Sequence, residues 1–262
     1  MKILAVGDVV GRRSIEYLSK TLRKITSSLG ADLVAVNGEN ASEIHGLCKA
    51  DAEALLDAGA DLITLGNHAF GSRDLYGFLD DHTDEIIRPA NYPAACPGVG
   101  YALRQVSGLR VLCMNLSGTA FMDQLDNPFA AVDRILEREK GDYDVAILDF
   151  HAEATSEKQA LGRYADGRVA LVVGTHTHVQ TNDATLLPKG TGYLTDLGMC
   201  GAQHSILGKG LEPCVHNFVD PENRMKITDG PAPYMINGLV AEIDEKTKTC
   251  RGLELINITE IN

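Results

Sequence analysis

Short apolar runs that stop abruptly in polar residues recur along this chain. In the first third, Ile3 to Val6 runs into Gly7-Asp8, Leu33 to Val36 into Asn37-Gly38-Glu39-Asn40, and Leu62 to Leu65 into Gly66-Asn67-His68. Between them, Ser14 to Ser28 and Lys49 to Ala58 carry helical patterns, so the order reads strand, helix, strand, helix, strand. That alternation predicts βαβ units and a parallel sheet. The pattern returns later, where Val145 to Phe150 ends at His151 and Val169 to Val173 at Gly174-Thr175-His176-Thr177-His178. Helices are predicted over 127–139 and 156–164.

Elsewhere the texture is strand without helix. Tyr101 to Val106 and Arg110 to Leu116 flank Ser107-Gly108 as a hairpin, and Ile236 to Ile243 with Leu253 to Ile258 read as late antiparallel strands. This is more sheet than one parallel layer needs. The Gly-, Pro- and Asn-rich stretch from Gly208 to Pro233 reads as a surface excursion. No repeat or linker divides the chain, which predicts one domain over 1–262.

Composition narrows the class. A chain of 262 residues allows roughly one or two domains of ~150, and 44% apolar residues suffice for a core without disulfide staples. The formal charge of −12 argues against gripping a long nucleic acid, which needs Lys and Arg to displace counterions, but leaves a small phosphorylated ligand open. The opening MKILAVGDVV is too short and polar for a secretory core, and no run approaches the ~18 apolar residues of a membrane span. Six scattered cysteines without a C-x-x-C pair fit a reducing, cytoplasmic setting.

The strand ends carry the chemistry. Five of them finish in metal-competent side chains: Asp8, Glu39 with Asn40, Asn67 with His68, His151, and the pair His176 and His178. In α/β sheets the carboxyl ends of strands converge on one edge, where ligands bind. Each residue alone has an ordinary alternative: Asp8 could cap a helix, Asn67 could make a turn, and a single histidine is more often core or surface than ligand. Five in succession argue for a site. Imidazoles, carboxylates and amides without a cysteine cluster suit Mn, Fe, Zn or Ni rather than a structural zinc site. Seven candidate ligands exceed what one ion with substrate can use, so two ions sharing a carboxylate are expected.

In this order, Gly7-Asp8, Gly38-Glu39-Asn40, Gly66-Asn67-His68, His151 and Gly174-Thr175-His176-Thr177-His178 resemble the motifs of the calcineurin-like dinuclear metallophosphoesterases. The wording GDVVG, NGEN, GNHAF, DFHAEATSEK, GTHTHVQT and GTGYLTDLGMCG is similar to the YmdB-type branch over nearly the whole chain. The resemblance implies a four-layer α/β/β/α sandwich with two mixed β-sheets. It also implies a bimetal site in which Asp8 and His178 hold one ion, Asn67, His151 and His176 the other, and Glu39 bridges. Two positions depart from the wider superfamily. Val10 replaces the histidine of the usual Asp-x-His, and the bridge is Glu rather than Asp, with Asn40 expected to compensate as a ligand.

The implied function is hydrolysis of cyclic nucleotides, 2′,3′-cyclic monophosphates first and 3′,5′-cyclic ones next, with iron ahead of manganese as the metal. Two ions ~3.5–4 Å apart would activate a shared hydroxide to attack phosphorus. His68 would protonate the leaving group, with Asp74 a candidate to orient it because Ala69 stands where relatives place an acid. The expected partner is a small phosphodiester, with neither long nucleic acid nor membrane; a homo-oligomer is compatible. The rival readings are a phosphomonoesterase or nucleotidase on the same site and a non-catalytic metal-binding signalling protein. Absence of G-x-G-x-x-G and G-x-x-x-x-G-K argues against a Rossmann or Walker site. Glu153 could orient a ligand or contact substrate, His204 could touch substrate at the rim, and His45, His82 and His216 read as surface residues.

Overall fold

The structure is a computed structural model that describes residues 1–42 and 46–260, so His45 lies outside the described residues. The first part alternates as predicted through β1 (Lys2–Val6), β2 (Asp8–Val9), α1 (Arg12–Leu29), β3 (Leu33–Asn37), α2 (Lys49–Ala58), β4 (Leu62–Thr64), α3 (Leu75–Asp81) and β5 (Ile86–Ile87). The hairpin β6 (Tyr101–Val106) and β7 (Leu109–Ser117) leads into α4 (Pro128–Arg138), β8 (Val145–His151), α5 (Thr155–Ala165) and β9 (Leu171–Thr175). Then come β10 (Thr185–Leu186), β11 (Gly192–Leu194), β12 (Met199–Ala202), α6 (Leu211–Val219), β13 (Tyr234–Ile243) and β14 (Cys250–Thr259).

Local chemistry explains several boundaries. Ser107 and Gly108 both have positive φ, the two-residue hairpin turn whose twist matches its strands. The Asn127 side chain accepts from the Phe129 and Ala130 N–H groups and Pro128 opens α4, a favoured start for a helix.

Two mixed sheets result. The first runs β2-β12-β13-β1-β3-β4-β5, with β14 paired to β13; the second runs β10-β11-β9-β8-β7-β6. Strands β1, β3, β4 and β5 are parallel, as are β7, β8, β9 and β11. Between the sheets, Ile3, Ala5, Leu33 and Leu239 meet Val111, Cys113, Ile147 and Leu171. On the outer faces, Leu18, Leu22 and Leu55 seat α1 and α2 on the first sheet, while Val132, Ile135 and Leu161 seat α4 and α5 on the second. Each such side chain gains ~1.5–3 kcal/mol from burial. The layers are therefore α/β/β/α, as expected.

Three details differ from the sequence reading. Strand β9 begins at Leu171 because the Val169 N–H bonds to Ala165 O at the end of α5. The stretch from Gly208 to Pro233 contains the nine-residue α6, where Pro213 sits in the first turn and removes no intrahelical bond. Short strands β2 and β12, paired in parallel through Asp8 and Met199, lack a periodicity to reveal them. Among the described residues no helix is long and apolar enough to cross a membrane.

Candidate metal centre

The parallel strands of both sheets end at a common edge. Asp8 follows β1, Glu39 and Asn40 follow β3, Asn67 and His68 follow β4, His151 ends β8, and His176 and His178 follow β9. The structure brings all eight together. His151 Nε2 lies 3.1 Å from Glu39 Oε1, 3.0 Å from Asn67 Oδ1 and 3.0 Å from His176 Nδ1. Beside this group, Asp8 Oδ1 lies 3.7 Å from His178 Nε2, and Asn40 Nδ2 lies 3.2 Å from the same nitrogen. Glu39 stands between the two groups, accepting from Asn40 Nδ2 at 2.8 Å and from the His68 N–H at 3.0 Å.

The backbone here is bent against its preferences. His176 and His178 have φ of 103° and 63°, conformations that side chains other than Gly rarely adopt. Two carboxylates hold the turn: Asp8 Oδ2 accepts the His176 N–H at 3.1 Å and Asp196 Oδ2 the Thr177 N–H at 3.1 Å. Asp196 is paired with Lys158 of α5 at 2.6 Å, both fully buried.

Electrostatics follow from burial. Loss of solvent pushes the Asp8 carboxyl up to about 6, against the pull of His178 and His151. Burial also penalises the Glu39 charge, but His151 and the His68 N–H outweigh it and hold the group at about 2. His151, penalised by burial, is lifted to about 9 by Glu39, Asp8 and Asp149. His176 is lowered to about 4 by burial and by the His151 charge.

The site fits divalent cations. Asp8 Oδ1 is buried without a hydrogen-bond partner among the described residues, a costly arrangement for an acceptor that nothing satisfies. Glu39, His151 and His176 each present a ligand atom within 4.8 Å of the others. Gly66 keeps the space open, since a Cβ there would lie 2.3 Å from Glu39 Oε2 and 2.4 Å from His151 Nε2.

Several participants escaped the sequence reading. Asp149 is buried in β8, accepting from the Thr64 hydroxyl, from Asn37 Nδ2 at 3.1 Å and from the Thr175 hydroxyl at 2.8 Å. Thr175 Oγ1 in turn lies 2.9 Å from His151 Nδ1. With the hydroxyl proton on Asp149, Thr175 accepts from Nδ1–H and turns Nε2 toward the cluster. The available signal was a carboxylate inside the otherwise apolar run VAILDF.

Other expectations are sorted by contact. Glu153 Oε2 reaches His176 Nε2 at 3.0 Å. Asp74 accepts from the Ser72 hydroxyl and the Lys49 N–H, so these bonds commit both of its oxygens elsewhere than His68. Val10 is buried against Gly208, filling space rather than ligating. His82 pairs with Glu85 and stacks on Phe78, His216 bonds to Asn223 O, and His204 is exposed in the turn after β12.

A family model described as YmdB-like protein matches residues 4–256. The chain is 39% identical over 261 residues to the 2′,3′-cyclic-nucleotide 2′-phosphodiesterase of Bacillus subtilis (strain 168), covering 99% of this chain and 98% of that protein. Among solved structures, a hypothetical protein from Thermus thermophilus matches with TM-score 0.91 and 38% identity over 100% of both chains. A novel phosphatase from Mycoplasma pneumoniae matches with TM-score 0.90 and 32% identity, covering 99% of this chain and 93% of that one. The matches extend over almost the whole chain, and the chain belongs to the YmdB-like protein family.

Proposed function

We propose that this protein is a metal-dependent phosphodiesterase acting on cyclic nucleotides, with 2′,3′-cyclic nucleoside monophosphates as the first substrate class and 3′,5′-cyclic ones as the second. The observation that carries this reading is the buried Asp8 Oδ1, without a hydrogen-bond partner among the described residues, beside His178 and at one end of a donor cluster that continues through Glu39 to Asn67, His151 and His176. The activity named for the Bacillus relative supports the choice of a cyclic diester.

In this reading Asp8, His178 and Asn40 would hold one ion and Asn67, His151 and His176 the other, with the Glu39 carboxylate available to both. When bound, the pair supplies charge for the phosphate oxygens and a water acidic enough to attack phosphorus at neutral pH. Iron is the first candidate and manganese the second, and the nitrogen and oxygen donors suit both.

The chain's own groups do the rest. Asp149 and Thr175 keep the His151 proton on Nδ1. Asp8 Oδ2 and Asp196 fix the turn that presents His176 and His178. His68 adjoins Asn67, is tied through its N–H to Glu39, and gives a proton to the departing ribose oxygen. Six unpaired thiols fit a reducing, cytoplasmic setting, and 1–262 is read as one domain.

The test is metal quantification combined with a substrate panel. About two ions per chain and fast cleavage of 2′,3′-cyclic AMP, with slow turnover of 5′-AMP and p-nitrophenyl phosphate, are expected. Hydrolysis of monoesters alone would turn the reading toward a phosphatase.

A further inference from the structure

Phe121 stands where nothing among the described residues requires an aromatic ring. It is the third residue of a turn closed by the Met122 N–H on Thr119 O at 3.4 Å, and its φ of 63° is one that favours Gly or Asn. The side chain is 92% exposed and meets no other ring among the described residues. A bulky residue in this conformation, facing water, serves neither the turn nor the core.

The turn is nonetheless held firmly. The Gly118 N–H bonds to the His151 carbonyl at 2.9 Å, and the Thr119 and Ala120 N–H groups bond to the Glu157 carboxylate at 3.0 and 3.2 Å. Asn91 secures the far end, accepting from the Asp126 N–H and donating Nδ2 to the Asp126 carbonyl. Met122 Sδ accepts the Glu153 N–H at 3.3 Å, and the Glu153 carboxylate reaches His176. Two contacts thus lead from the metal cluster to the neighbour of Phe121, and a third ties Gly118 to His151, so the turn that carries Phe121 borders the site. Tyr92, an aromatic residue beside Asn67, is committed: its hydroxyl donates to Asn67 O and its ring meets that of Phe70.

A flat apolar surface carried on a firmly held turn beside a phosphate site matches a nucleobase, which presents a π-face whatever its identity. We propose that Phe121 stacks on the base of the substrate and sets the preference for nucleotides over other cyclic diesters. This rests on the phosphodiesterase reading above.

The chain contains no Trp, so Phe121→Trp creates a single fluorescent reporter. In the metal-loaded variant, adenosine 3′-monophosphate quenches the emission saturably while inorganic phosphate does not. In Phe121→Ala, the ratio of kcat/KM for 2′,3′-cyclic AMP to that for base-free ethylene phosphate falls roughly tenfold or more, mainly through KM, and Phe121→Tyr restores it. An unchanged ratio or absent quenching overturns the proposal. Quenching in a protein that cleaves neither diester supports base stacking and strikes the phosphodiesterase reading instead.

Discussion

His151 and Thr175 sit opposite one another across β8 and β9, with Nδ1 and Oγ1 2.9 Å apart. Opposed residues share a face of the sheet, so this contact is set by strand register rather than by loop conformation. Thr175→Val keeps the shape and removes the hydroxyl that links His151 to Asp149. Metal affinity is expected to fall roughly 10–100-fold, measured by competition with a chelating dye, and Thr175→Ser to restore most of it. Unaltered affinity in the valine variant would dismiss the relay.

His68 and Glu39 should separate cleanly. His68→Ala removes the proposed proton donor but keeps the N–H that bonds to Glu39, so turnover is expected to fall roughly 10²–10⁴-fold while metal content holds. Glu39→Ala removes the acceptor shared by Asn40, His68 and His151 and loses both ions. Elemental analysis of each purified variant decides. Metal loss in His68→Ala would make that residue a ligand.

Gly66→Ala tests the space the proposed ions would need. The added methyl would press on Glu39 and His151 within 2.4 Å, so the variant is expected to fold with native far-UV circular dichroism yet retain little metal. Full occupancy would show that the cluster can shift aside.

The metal-free protein should weaken as pH rises from 6.5 to about 9. His151 is lifted from 6.5 to about 9, so its protonation stabilises the fold fully below 6.5 and that contribution is lost as pH climbs through 9. Asp8, raised from 3.8 to about 6, has lost its contribution before this window, and Glu39, held at about 2, stays ionised throughout it. Thermal melts in chelator at several pH values check this; a melting temperature that rises across the window contradicts it.

Lys158→Ala strands the buried Asp196 charge that accepts the Thr177 and Gly198 N–H groups. The cost is about 3–5 kcal/mol in urea denaturation, and the His176–His178 turn loosens with it. Pairing Lys158→Met with Asp196→Asn removes both charges and is expected to recover much of the loss. No recovery would mean that the pair's geometry, not its charge balance, holds the turn.

The site was more legible in the sequence than its supports were. Asp8, Glu39, Asn67, His151 and His176 each end an apolar run, so periodicity and the switch to polar residues located them together. Asp149, Thr175 and Asn37 lie inside or beside those runs, and their roles depend on which strand pairs with which and on how the two sheets face each other. Cross-strand register is a long-range property that a local pattern does not carry. The helix α6 was hidden for another reason: nine residues with Pro213 near the start, between Gly- and Asn-rich flanks, show too few turns for a helical period to stand out.

Strands of the second sheet all come from one continuous stretch, 101–194, whereas the first sheet draws on the chain before and after it. The first supplies Asp8, Glu39, Asn40, Asn67 and His68 to the common edge, and the second supplies His151, His176 and His178. Between them lies mostly apolar packing, crossed by the hydrogen bonds of Asp149 to Asn37 and Thr64. A pair of ions gripped from both sides would act as a rivet through that seam. Shearing one sheet past the other would then require breaking coordinate bonds as well, so the residues proposed to hold the ions would also lock the register of the two layers.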